Sequence, residues 1–126
     1  MDDPKLQQLK SECEVWKKAL SAITEESICI KTGLLEILKS NFENDLLEGI
    51  ERLQNKLIRN DTLISILRDD IAKLSELLLH EFSSQDENLL ESKRQILQNN
   101  MLLVKIQFSK LKSDFNHYLS YNISSM

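Results

Sequence analysis

IERLQNKLIRNDTLISILRDDIAKLSELL, residues 50–78, sets Ile50, Leu53, Leu57, Ile64, Leu67, Ile71, Leu74 and Leu78 at alternating steps of three and four, with Asn60 where one more apolar residue is due. That spacing is the signature of a helix packed along its whole length against other helices, and it is incompatible with the period of two that a half-buried strand requires. The stretch therefore fixes one long helix, and the rest of the chain can be read by asking whether the same pattern recurs.

It recurs twice. Upstream, Leu6, Leu9, Cys13, Trp16, Leu20, Ile23, Ser27, Ile30, Leu34 and Ile37 keep the spacing over five heptads. Downstream, Leu90, Arg94, Leu97, Met101, Val104, Phe108, Leu111, Phe115 and Tyr118 form a third train. Between trains the phase slips by about two residues, across SNFEND and again across FSSQDEN, so each slip marks a turn and not a continuing helix. Asp3 before Pro4, Asp45 before Glu48 and Ser84 before Glu87 are helix-start signals. Helices are expected at about 4–40, 46–82 and 85–120, with the tail fraying beyond Leu119.

Composition agrees. The chain has 126 residues, 41% apolar and 29% charged, but two glycines and one proline, too few turn formers for many turns. The expectation is an all-α fold: one domain, 1–126, of three long helices in an antiparallel, up-down-up, coiled-coil-like bundle. Opening of the hairpins to pair helices between chains is the alternative arrangement. Three long helices with a tryptophan, Trp16, on an inner position of the first resemble a spectrin-type repeat in layout.

Folding this plan brings particular residues together. With the first turn near residue 42 or 43, Ser27 and Asn60 lie at similar heights, a buried polar layer expected to fix register, with a water or ligand site as the lesser reading. Arg94 projects to the level of Leu74, Ser11 and Glu12, and its guanidinium is expected to reach Glu12 or Asp70 in an edge ion pair. Gly33 and Gly49 both fall near the first turn, where they either admit a close helix approach or soften that end.

The raw material for chemistry is thin. His80 and His117 lie off the seams. Asp114 and His117 have a D-x-x-H spacing, but a di-iron site needs inward-pointing acid and histidine pairs on two helices, and Leu77 stands where His80 would need its acid. Cys13 and Cys29 are about 24 Å apart along one helix, too far to bridge within it, and neither has a histidine at helical spacing. Glu25 with Glu26, and Asp69 with Asp70, diverge around their helices. Neither a phosphate-binding glycine loop nor a metalloprotease motif is present in the sequence. No enzyme activity and no cofactor or metal is expected.

The net charge is −4, with nine acids against five bases in residues 43–82, so no basic stripe suggests nucleic acid. The opening MDDPK lacks a signal-peptide pattern and the apolar runs are too short for an integral membrane span. With two reduced thiols, a soluble cytoplasmic protein is expected.

One helix is over-supplied with apolar residues. In QNNMLLVKIQF, residues 98–108, Met101, Val104 and Phe108 belong to the seam, while Leu102, Leu103 and Ile106 do not. Leu103 continues a line through Leu89 and Ile96 that is expected to widen the buried stripe. Leu102 and Ile106, with Ile66 at the same height on helix two and Leu103 beside them, make a candidate interface. The reading is a non-catalytic interaction or scaffolding module, pairing with itself as a homodimer or with another helical protein. Its rivals are a bundle holding a small ligand or metal, and a membrane-surface module using Lys105, Lys110 and Lys112.

Overall fold

The structure, a computed structural model, describes the backbone of residues 4–40, 44–79 and 84–125 and the side chains of 4–39, 46–79 and 87–120. Three helices account for it: α1 (Pro4–Ser40), α2 (Asn44–Leu77) and α3 (Ser84–Ser125). All three pairs of helices are in contact, and the fold is the all-α three-helix bundle that the apolar trains require. The capping position expected at Asp3 lies outside the described residues. α2 begins one residue before Asp45.

Two ends differ from expectation. α2 stops at Leu77 and not near residue 82. The Leu78 amide donates to the Leu74 carbonyl, and the Leu79 amide then donates three residues back to Glu76, tightening the last turn. Residues 80–82 lie outside the described residues. α3 runs on to Ser125 instead of fraying after Leu119; no glycine or proline interrupts that tail, so nothing in its backbone chemistry ends the helix.

The core is the three trains. In heptad notation a and d are the inward positions, so Leu20, Leu67 and Ile71 are fully enclosed, as is Val104 on α3. Each such side chain contributes about 1.5–3 kcal/mol through burial. Leu6 and Ile37, at the ends of the first train, and Tyr118, at the end of the third, are half-buried. Leu46 joins the core one turn ahead of Ile50.

Ion pairs across the grooves define which flanks meet. Lys31 pairs with Asp61 and the Arg68 guanidinium donates to Thr24 between α1 and α2. Lys56 meets Asp114 at 3.1 Å between α2 and α3, and Lys112 meets Glu26 at 3.1 Å between α3 and α1. Exposed pairs of this kind add little stability, but they record register. Lys31 and the Arg68 guanidinium reach across with long side chains to partners about two turns from the level that a pivot at residue 42 or 43 gives, whereas Cys13 meets Ser75 within a turn of it. The α2/α3 register agrees with it within a turn.

Both glycines admit a close approach. Neither has a positive φ, so their value is steric. A methyl group on Gly33 would sit 2.7 Å from Phe115 Cζ, and one on Gly49 only 1.2 Å from Tyr118 Oη and 2.0 Å from Cζ. Two aromatic rings of α3 thus rest on bare backbone of α1 and α2. Gly49→Ala gains about 1 kcal/mol of helix propensity but must expel the Tyr118 ring, and overpacking costs about 1–3 kcal/mol. The expected result is a net loss of stability in urea unfolding. In a Tyr118→Ala background the same substitution should become stabilising, a sign change that a double-mutant cycle reads directly.

Candidate functional site

The site builds from what the a and d seams leave over. A three-helix bundle encloses a and d, uses e and g along its grooves, and leaves b, c and f outside. On α3, Leu89, Ile96 and Leu103 all occupy c. The structure exposes each of them, which corrects the expectation that this line widens the buried stripe: position c clears the neighbouring helices.

Their surroundings follow from the groove between α2 and α3. One end of it is lined by Lys56, Arg59 and Asn60 from α2 and by Gln107, Lys110, Leu111 and Asp114 from α3. Another section is lined by Asp70, Lys73 and Leu74 against Lys93, Ile96 and Leu97. Arg59, Lys73, Ile96 and Lys110 are c residues, so position c forms both rims. Ile66, midway between Arg59 and Lys73, and Leu103, midway between Ile96 and Lys110, therefore face each other across the same groove. They are 53% and 46% exposed. Ile106, 65% exposed, lies just outside this rim.

Leu102 separates from the group. It is exposed, but its direction differs by about 100° from that of Leu103, toward the α1 side of α3. The candidate interface of Ile66, Leu102, Leu103 and Ile106 is thus real as exposed apolar surface, but it is centred on Ile66, Leu103 and Ile96, with Leu89 extending it one heptad. A second group went unnoticed in the sequence: Ile28 and Leu35 on α1 and Ile58 on α2, all exposed and all at b, the position beside the e residues that link α1 to α2. Heptad labels alone would have flagged them.

Ser27 and Asn60 form the expected buried polar layer, at 1% and 4% exposure. Lys31, one turn after Ser27, pairs with Asp61, next to Asn60, so the two share a neighbourhood. Yet Ser27 Oγ and both Asn60 carboxamide atoms have no hydrogen-bond partner in the protein. The layer is thus buried but unsatisfied, which costs about 1–3 kcal/mol for each such group.

Arg94 reaches Glu12 in a two-pronged pair, Nε to Oε2 at 2.7 Å and Nη2 to Oε1 at 3.0 Å, with Glu91 at 3.2 Å from Nη1. The hydrogen bonds and charge of Glu12 hold the guanidinium above its usual arginine range. Asp70, the alternative carboxylate, instead lines the α2/α3 groove beside Lys73 and Lys93. The reason is directional: Arg94 lies on the α1 side of α3, whereas Asp70 lies on the opposite flank.

Cys13 is buried and Cys29 exposed, and both are free thiols. Burial pushes the Cys13 thiol up, with a hydrogen bond to Ser75 and the charge of Lys17 pulling partly back, so Cys13 behaves as a small core residue. His117 is exposed beside Arg52, Lys56 and Asp114, with Asp114 paired to Lys56; His80 lies outside the described residues. Among the described residues, no three His, Cys, Asp or Glu side chains come together to hold a metal, and no helix is long and apolar enough to cross a membrane.

Compared with protein-family models, with curated proteins and with solved structures, the chain matches none.

Proposed function

We propose that the chain is a non-catalytic interaction module, working in a reducing, aqueous compartment such as the cytoplasm, and that it acts by burying the α2/α3 rim against a helix of a protein partner. The observation that carries this is the heptad-spaced line Leu89, Ile96 and Leu103, exposed on α3 with Ile66 facing it. An outer line at coiled-coil spacing is what a further helix needs in order to pack alongside. Neither nucleic acid nor an anionic membrane is the better partner, because carboxylates stand among the basic residues at both ends of the groove, Asp114 beside Lys56 and Asp70 beside Lys73 and Lys93.

The test is the double variant Ile96→Lys with Leu103→Lys. Each lost contact is worth about 1.5–3 kcal/mol when buried, so association, with itself or with a co-purifying protein, should weaken tenfold or more. Helical content by circular dichroism should be unchanged. Loss of the helical fold would place both residues in the core and sink the reading.

A second reading, a small polar ligand held in the bundle, is favoured by one observation: the unsatisfied Asn60 carboxamide stands at the end of the groove carrying Lys56, Arg59 and Lys110. The stability of an Asn60 variant separates the two readings, as argued below.

A further inference from the structure

Resting on the second reading above, we infer that the α2/α3 cavity lined by Asn60 binds a small phosphate, either inorganic phosphate or a compact phosphate monoester, held by Arg59, Lys110 and the Asn60 carboxamide.

The first support is charge. Lys56, Arg59, Lys110 and Asp114 meet in this cavity, and the one carboxylate among them is taken up by Lys56 at 3.1 Å. Arg59 and Lys110 are left over. Among the described residues neither has a carboxylate partner, and they stand on opposite walls, one on α2 and one on α3. Two uncompensated cations facing one space match a charge of about −1.5 to −2, that of a phosphate monoester near pH 7. The planar guanidinium also suits the oxygens of a phosphate, which it can grip in pairs.

The second support is independent of charge. Asn60 and Leu111 are the buried residues of the cavity lining, and Asn60 carries a carboxamide with neither its donor nor its acceptor satisfied. Whichever way the amide is turned, a guest that repairs it must offer both an acceptor and a donor. Hydrogen phosphate offers both, P–O⁻ and P–O–H, and a monoester can add the donor from a neighbouring hydroxyl. Sulfate and an ionised carboxylate only accept. The amide is covered in the structure, so the guest reaches it between Arg59 and Lys110, which are exposed and free to turn. Size sets the class of guest. The cavity holds about 220 Å³, less than the about 300–1,000 Å³ of sites that take drug-sized molecules, so the guest is compact.

The experiment uses the full chain, dialysed into phosphate-free buffer and titrated in a calorimeter with inorganic phosphate, glycerol 3-phosphate and sulfate at matched ionic strength. Saturable one-to-one binding is expected for at least one of the two phosphates, tenfold or more tighter than for sulfate, which leaves the amide oxygen unsatisfied. The tighter of the two identifies the free or the esterified form as the guest. Arg59→Gln with Lys110→Gln, both at exposed positions, should abolish binding with circular dichroism unchanged. Asn60→Leu should reduce phosphate binding to the level of sulfate. Phosphate and sulfate binding alike, in the native chain and in Asn60→Leu, would mean an adventitious ion only and would overturn the inference. So would the absence of binding by all three. In that event a different small molecule, found by mass spectrometry in the undialysed protein and lost from Asn60→Leu, would leave the second reading standing; without one, that reading falls as well.

Discussion

Asn60→Leu is expected to stabilise the bundle by about 2–4 kcal/mol in chemical unfolding, an unusual direction for a change at a buried position. The carboxamide is 4% exposed and neither of its polar atoms has a protein partner. Removing it relieves a desolvation cost of about 1–3 kcal/mol per unsatisfied group, and a leucine there adds apolar burial worth about 1.5–3 kcal/mol, less some strain in repacking. The substitution also restores an unbroken d line through Leu53, Leu67 and Leu74, and so removes a polar device that specifies register. The same variant should therefore be more stable and less specific, with a broader distribution of oligomeric masses in light scattering. A loss of stability greater than the strain of repacking would show that a bound molecule satisfies the amide in solution, and a small molecule retained through purification, in place of a buried water, would favour the ligand-binding reading over the interaction module.

Why Asn60 was legible as a buried residue but not as an unsatisfied one shows where sequence reading stops. Its burial follows from its step in the heptad train, a local property. Its hydrogen bonding depends on which atoms of α1 and α3 come within 3 Å, a scale finer than the helical turn to which the pivot places α1 against α2. Gly33 and Gly49 show the same limit, since their location near one end was readable while the rings of Phe115 and Tyr118 above them depended on the packing of α3. Arg94 could be placed at a seam edge, but two carboxylates were in range by height. The choice of Glu12 over Asp70 required knowing which flank of α3 faces α1. The same handedness decided the site. A three-helix bundle can place its third helix on either side of the first hairpin with an identical a and d pattern, so the pattern could not say that c on α3 and c on α2 would share a groove. That is why the heptad pattern points to Ile66, Leu102 and Ile106, with Leu103 only beside them, and reads the line of Leu89, Ile96 and Leu103 as a widened buried stripe.

Neighbouring residues on α2 give the sharpest contrast between core and rim. Leu67 is fully enclosed, and Leu67→Ala is expected to cost about 2–5 kcal/mol, the transfer term plus the cavity left among close-packed side chains of three helices. Ile66 is 53% exposed, and Ile66→Ala should change the stability of the isolated bundle by only about 0.5 kcal/mol. Measured under conditions where the chain associates, the order of effects should split by observable. Leu67→Ala lowers the unfolding midpoint at every protein concentration, because it damages each bundle. Ile66→Ala leaves the midpoint at low concentration intact and reduces its rise with concentration, because stabilisation by association scales with occupancy of the partner site. If Ile66→Ala were as costly as Leu67→Ala in the dilute protein, position c on α2 would be part of the core, and the rim with Leu103 and Ile96 would not exist as a surface. The two adjacent positions thus carry, in one pair of denaturation series, the distinction between what holds this chain together and what it presents to another.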